Sequence, residues 1–416
     1  MKTKDYQVRA VHCDHRASDE EVYQALKRAT AGLDRSWNRL KAARRIAIKF
    51  NQDWPKPPPM FEGLFQQLVS IPVARATLRL LRENTQAELV AADVSFFEAY
   101  ENLSPGAATN LKPVFDEFEV QYLNGDLPPI IKTAVPGGGL MFDHYFISQD
   151  LLDADEIVSV QKMKNHAFMG ITLCLKNLFG VVPADPLGRP RHYYHHLVRM
   201  PYMLVDLGRI FNPALNILDA LTSQAGQEWR GGSPLITDTL LAGDQVTATD
   251  ACGATLMGHD PQADWLTPPY NRDRNALLIA AENGFGTVDL NEIDYQSEAQ
   301  APLGKFFSNI TDSQERVISW RRTTAEQALY FLEHRRELVS QYAGEYILLQ
   351  QGQVRWHDPS GRLGMSRRKL AGDNPDEAMW FKYIDPEEIE AEHFEVYERT
   401  LAEIKALNLH EASRPA

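Results

Sequence analysis

The sequence predicts an α/β fold: two parallel or mixed-sheet α/β domains with a cleft between them, followed by a small α+β module at the C-terminus. Three observations carry this expectation. Short apolar runs alternate with longer amphipathic ones, the signature of strands and helices taken in turn. The segment after one such strand is a proline-rich loop, placed where open α/β sheets hold their ligands. The 416 residues also exceed what one small core organises. The boundaries read from the chain are 1–200 for the N-terminal domain, 201–310 for the second and 311–416 for the C-terminal module.

The elements follow in order. Ser18 and Glu21 form a capping-box pattern, which predicts a helix running to about Gly32. A strand over 45–50 ends in Lys49-Phe50-Asn51. Next, Asp53-Trp54-Pro55-Lys56-Pro57-Pro58-Pro59 cannot be regular structure, because proline removes donors and holds its neighbours extended; it reads equally as a ligand loop or a stiff linker. A helix over 72–83 and a strand over 88–92 complete a strand-helix-strand order. Further strands are expected at 120–123, 130–135, 156–160, 214–218 and 239–242. Short helices are expected at 150–155, 249–257 and 275–283, the last two stopped by Gly258 and Gly284. The loop 224–234 carries Gly231 and Gly232, which either let backbone approach a ligand or mark a plain turn. Asp250 reads as the cap of its own helix. Near the C-terminus, 323–340 is strongly helical, and 346–356 is a hairpin pattern turning at Gly352.

Composition excludes several classes. A net charge of −13 argues against non-specific nucleic-acid binding. No apolar run is long enough to span a bilayer and the first residues lack a signal-peptide core, so a cytoplasmic protein without membrane attachment is expected. The three cysteines, Cys13, Cys174 and Cys252, offer no CxxC pair, so neither an iron-sulfur cluster nor a cysteine zinc site is expected.

The densest chemistry lies between Lys162 and His196. Lys162-Met163-Lys164 ends a strand, His166 and Gly170 follow on a loop, and Thr172 reads as the start of a short helix closed by Gly180. Between Ile171 and Val182 only Thr172, Lys176 and Asn177 are polar, so that helix is expected to be buried, and an ammonium buried there must be paired, neutralised or used. Lysines beside backbone N–H groups at a helix start make an anion site. There Lys49, Asn51, Lys164, Thr172, Asn177, Gly231 and Gly232 would hold the ligand, and His166 would give or take a proton. The plainer reading has solvated strand-end lysines and a hydrogen-bonded core histidine. His192, His195 and His196 either turn inward or form a surface loop.

The run from Lys162 to Thr172 with Leu175-Lys176-Asn177-Leu178-Phe179-Gly180 resembles an uncharacterised prokaryotic domain-of-unknown-function family named for iron-sulfur-centre proteins. Lys49-Phe50-Asn51, Asp93 and the stretch 244–258 extend the likeness across roughly residues 40 to 290. Many members carry an added ferredoxin-type cluster domain, for which this chain lacks the cysteines. More distantly, the spacing of His166, Lys176 and His192 and the proline-rich loop resemble the nickel-pincer lactate racemases. That likeness implies a pyridinium-derived nucleotide bonded to Lys176, nickel bound partly by His192, and His166 moving a proton on an α-hydroxy acid. The chain departs from those enzymes in having Lys56 in place of an arginine and no histidine near Asp93-Val94-Ser95.

The function these readings support is an enzyme, racemase- or epimerase-like, that acts on a small anionic substrate of hydroxycarboxylate or phosphate type, with His166 and Lys176 catalytic. The rival is a non-catalytic metabolite sensor. In either case the C-terminal module covers the core, mediates self-association or binds a protein partner.

Overall fold

A computed structural model describes residues 4–53, 57–95, 106–183, 191–227, 232–308, 312–361, 370 and 377–412. Its centre is a nine-stranded mixed sheet in the order β13-β1-β12-β11-β9-β2-β5-β6, with β10 paired to β9. These strands are β1 (Tyr6–His12), β2 (Arg45–Phe50), β5 (Glu88–Asp93), β6 (Gln121–Asn124), β9 (Glu156–His166), β10 (Gly170–Thr172), β11 (Leu215–Ala225), β12 (Ser233–Gly243) and β13 (Ile293–Ser297), while β3 (Met60–Phe61) pairs with β4 (Leu64–Phe65) and β7 (Ile130–Ala134) with β8 (His144–Ser148) in two separate two-stranded sheets. The run β11-β9-β2-β5-β6 is parallel, whereas β12 pairs antiparallel to both β11 and β1. The α/β class with a mixed sheet is as the sequence predicts. The sheet crosses the boundary drawn at 200: β9 lies before it and β11 after it, and they pair from Leu215↔Val158 to Asp219↔Lys162.

Alternation along the strands builds a core on each face. Val158, Val160, Ile217 and Ile48 pack with Val22 and Leu26 of the helix Asp19–Thr30 and with Val73 and Leu81 of the helix Ile71–Asn84. Met163, Leu218 and Ala47 turn the other way, against Leu175, Leu204 of the helix Arg199–Phe211, Val246 of the helix Val246–Leu256 and Leu277 of the helix Ala276–Glu282. Such parallel strands are buried on both faces, which is why they read as near-continuous apolar runs. The Ser18/Glu21 capping box is present, with Ser18 accepting from the Glu21 N–H and the Glu21 carboxylate from the Ser18 N–H.

Two elements differ from expectation. The Lys162–His166 segment is the extension of an eleven-residue strand, because β10 returns on it antiparallel through Gly170↔His166, Ile171↔Asn165 and Thr172↔Lys164. Thr172 is thus a strand residue, and the apolar run beyond it divides into a helix Cys174–Asn177 and a 3₁₀ turn Leu178–Val181.

The C-terminal part is a three-stranded sheet, β15 (Gln353–Asp358), β14 (Tyr346–Gln350) and β16 (Trp380–Tyr383), with helices Gln314–Glu333, Arg335–Tyr342 and Glu395–Ala412. It joins the main body through buried charge. Arg199 donates to Glu392 at 2.8 Å and to the carbonyls of Tyr193 and Phe381, while Glu392 also accepts from Lys382 at 2.8 Å and Tyr397 at 2.6 Å. Nearby, Val198 sits at φ +71°, a left-handed backbone that a β-branched residue adopts only when held there. The Asp273 carboxylate accepts its N–H at 2.6 Å and in turn pairs with Arg321 of the C-terminal part. Among the described residues no helix is long and apolar enough to cross a membrane.

Candidate functional site

β9 outruns its neighbour β2, whose last partner is Val160 opposite Phe50, so Gln161 to His166 project past the end of β2 while β11 flanks them on the other side as far as Gln224↔Lys164. Strand alternation then sorts the polar residues by face. Lys162 and Lys164 point to one side. Lys162 is fully buried, 3.2 Å from Asp219 and 3.0 Å from the Thr222 hydroxyl. Burial lowers its pKa, and the neighbouring Asp219 carboxylate opposes that shift. Lys164 donates to the Gln67 carbonyl at 3.1 Å, and Thr172 lies opposite it in register.

Lys49, in register with Ser159, faces the other side. Its ammonium is 3.2 Å from Asp93, donates to Asn177 Oδ1 at 3.1 Å and to the Phe50 carbonyl at 2.6 Å. The Asn177 amide nitrogen donates to Lys49 O and Ser159 Oγ. A Cβ at Gly180 would come within 2.5 Å of Lys49 Cε, so the glycine is what allows the turn to close over this ion pair. The structure thus separates Lys49 and Asn177 from Lys164 and Thr172, which the sequence reading had joined. Asn51, at the end of β2, accepts from the Gln161 amide at 3.1 Å. At Gly232 a Cβ would meet the Gln224 amide at 2.4 Å; the close approach there is made by this protein's own side chain. Gly231, Trp54-Pro55-Lys56 of the proline-rich loop, and the side chain of His192, lie outside the described residues.

His166 is held by its neighbours. The N–H groups of Phe168 and Met169 both point at its Nδ1, at 2.9 and 3.0 Å. An atom that accepts two hydrogen bonds carries no proton, so the neutral ring keeps its hydrogen on Nε2. The ring stands 5.7 Å from that of His195, which also meets Phe168 at 4.8 Å and Phe179 at 5.8 Å. Lys176 places its ammonium 4.5 Å above the Phe179 ring. Lys176 and His166 are therefore joined through a cluster of rings, and Lys176 is half-buried, less enclosed than its apolar surroundings in sequence predicted. His196 serves elsewhere, its Nε2 bonded to the Met379 carbonyl at 2.9 Å.

The helix Cys174–Asn177 has its N-terminus filled from within. Asp250 accepts the N–H of Cys174 at 2.9 Å and of Leu175 at 2.7 Å, so those donors are not open to an external anion. Asp250 caps this helix instead of its own, where Gln245 serves. Burial pushes its pKa up to about 7, against the lowering effect of those two N–H groups. His259, whose Nε2 contacts the Asn165 amide at 3.1 Å, is lowered by burial to about 4. Neither Asp250 nor His259 was legible as part of the site, because each reaches it from a distant stretch of chain.

The nickel-pincer nucleotide implied by the racemase likeness can be tested against this geometry. The cavity beside Lys176 is about 20 Å³, which accommodates one water and not a nucleotide. That cavity does not fit the cofactor beside Lys176.

A stretch of 125 residues, 29% of this chain, is 31% identical to the thylakoid-associated protein sll1697 of Synechocystis sp., and it spans 38% of that protein. The apoprotein structure of lactate racemase from Thermoanaerobacterium thermosaccharolyticum is 15% identical, with a TM-score of 0.32 over 51% of this chain and 50% of that one. The model of one family matches residues 46–255, half of the chain, and takes in β2, β5, β9, β10, β11 and Asp250. By that match the chain belongs to the family described as domain of unknown function DUF362.

Proposed function

We propose that the protein is an enzyme moving a proton at the carbon next to the carboxylate of a small anionic substrate. Lys164 would hold the carboxylate, His166 would donate from Nε2 to the oxygen on which charge develops, and Lys176, as the neutral amine, would take the proton. The observation that carries this reading is the double clamp on His166 Nδ1. Protonating that nitrogen would break both bonds, so the ring works as a neutral donor rather than as a base. This narrows the give-or-take role expected from sequence and leaves Lys176 as the group that accepts. Fixed donors aimed at developing charge typically contribute about 10²–10³ in rate.

The test is exchange of the α-hydrogen of a panel of 2-hydroxycarboxylates in D₂O, followed by NMR. The expected results are exchange by the wild type, its loss in Lys176→Ala, and a fall of about 10²–10³ in His166→Ala. Undiminished exchange in Lys176→Ala would overturn the assignment. Calorimetric binding of the same acids without exchange in the wild type would select the sensor reading instead.

A further inference from the structure

The face of the Phe179 ring stabilises Lys176 as the ammonium, since a cation is drawn to the negative face of an aromatic ring. A working amine at this position therefore needs somewhere for its proton to go. Behind Lys176 lies the cavity of about 20 Å³, walled mainly by Met169, Leu173, Leu204 and Leu277 and touched by three other polar residues, Asp250, Tyr270 and Asn275. Asn275 has both amide hydrogens engaged, donating to Pro261 O and Ala263 O, and its oxygen accepts from the Leu277 N–H. Tyr270 is 1% exposed, and among the described residues its hydroxyl makes no hydrogen bond of good geometry, the Asn275 side chain lying close enough only to ease its burial. A buried hydroxyl left unpaired costs about 1–3 kcal/mol, whereas a cavity above roughly 10–15 Å³ with polar neighbours holds a water. Each Asp250 oxygen accepts one backbone N–H and has a second lone pair to offer.

We infer that this cavity holds one water that joins the Tyr270 hydroxyl to Asp250, and that through it Asp250 is the proton partner of Lys176. The step is balanced: the ammonium of Lys176 passes one proton by way of the water to the Asp250 carboxylate, leaving a neutral amine and a neutral carboxylic acid. Asp250 is suited to this because burial already holds its pKa near 7. The other titratable groups facing it are the thiol of Cys174 and the hydroxyl of Tyr270, with Asp260 and Asp264 acting on Tyr270 from beyond. Asp250 and Tyr270 are positioning residues here, since they act through Lys176 and the water.

The inference rests on Lys176 as a working amine, yet its test needs no substrate and so separates its failure from failure of the catalytic reading. Trace acetylation of the full-length protein across pH, read by mass spectrometry on the Lys176 peptide, gives the midpoint of that amine. A carboxylate partner favours the ammonium, so Asp250→Asn should move the midpoint to lower pH by about one unit or more, a tenfold change in the protonation equilibrium. Tyr270→Phe, which deletes only the hydroxyl and leaves the helix cap in place, should move it the same way by less. A crystal structure should show a water bonded to Tyr270 and Asp250. Midpoints unchanged in both variants, or a dry cavity, would overturn the inference. If Asp250→Asn fails to fold, the Tyr270→Phe midpoint and the crystal water decide it.

Discussion

Replacing Glu392 by Gln is expected to destabilise the folded protein by about 3–5 kcal/mol, the usual cost of removing one partner from a buried ion cluster. Glu392 is the shared counterion of Arg199 and Lys382, and the three side chains are 0–1% exposed. The glutamine keeps the shape and loses the charge, so Arg199 would be left against a neutral amide while Lys382 would retain Glu388 at 3.4 Å. Urea unfolding measures it: the midpoint should fall with the slope unchanged. A loss below about 1 kcal/mol would place this cluster among the weak surface pairs. The pH dependence has a definite sign. Burial alone would raise the Glu392 pKa, but Arg199 and Lys382 outweigh it and hold it at about 2, against an ordinary 4.5. A carboxylate depressed in the folded state contributes stability that is complete above its unfolded pKa and is lost as pH falls. The wild type should therefore weaken between about pH 4.5 and 2, and the Gln variant should lose less over that window.

Gly170→Ala is expected to cost about 2–5 kcal/mol, combining a left-handed backbone penalty of about 1–2 kcal/mol with overpacking of about 1–3 kcal/mol. Gly170 has φ +78°, and a Cβ there would come within 2.6 Å of the Pro269 carbonyl oxygen. Backbone lies on both sides of that contact, so no side chain can swing aside to relieve it. The damage would be local as well as global. Gly170 pairs with His166 in β10, and its carbonyl accepts from the Asn165 amide at 2.9 Å. Any shift of the turn displaces the Phe168 and Met169 N–H groups that orient the His166 ring. An altered His166 ring resonance together with a lowered unfolding midpoint is the expected pair of readouts; a resonance identical to wild type would show that the turn does not set the ring.

Local signals in the sequence proved the most legible. The capping box at Ser18 and the strand Arg45–Phe50 are where the chain says they are, because each depends on residues within a few positions. β1 went unread, since its antiparallel place beside β12 depends on residues more than two hundred positions away. The stretch from Asn165 through His166 to Gly170 reads as a loop for the same reason: only the return of β10 keeps Asn165 and His166 extended. Lys162 reads in the sequence as a strand-end lysine of an anion site or of the solvated surface, because the carboxylate that holds it, Asp219, is 57 positions on. Lys49 and Lys164 seemed to converge because both follow strands at the sheet's carboxyl end. Period-two alternation with the Lys49↔Ser159 register sends them to opposite faces, and register is a tertiary fact. Asp250 capped a helix as an aspartate should, although the helix was another one.

The family-matched segment 46–255 includes Arg199, yet the carboxylate that neutralises it is 193 positions downstream. Asp273 likewise finds its guanidinium at Arg321, and through the Val198 amide it braces the stretch that carries His195. Expressing this chain only to residue 311 would strand an arginine and an aspartate in the interior without their counterions. The last quarter of the polypeptide thus completes the electroneutrality of the part it covers, and an engineer seeking a minimal version of this molecule has to keep both ends of the bargain.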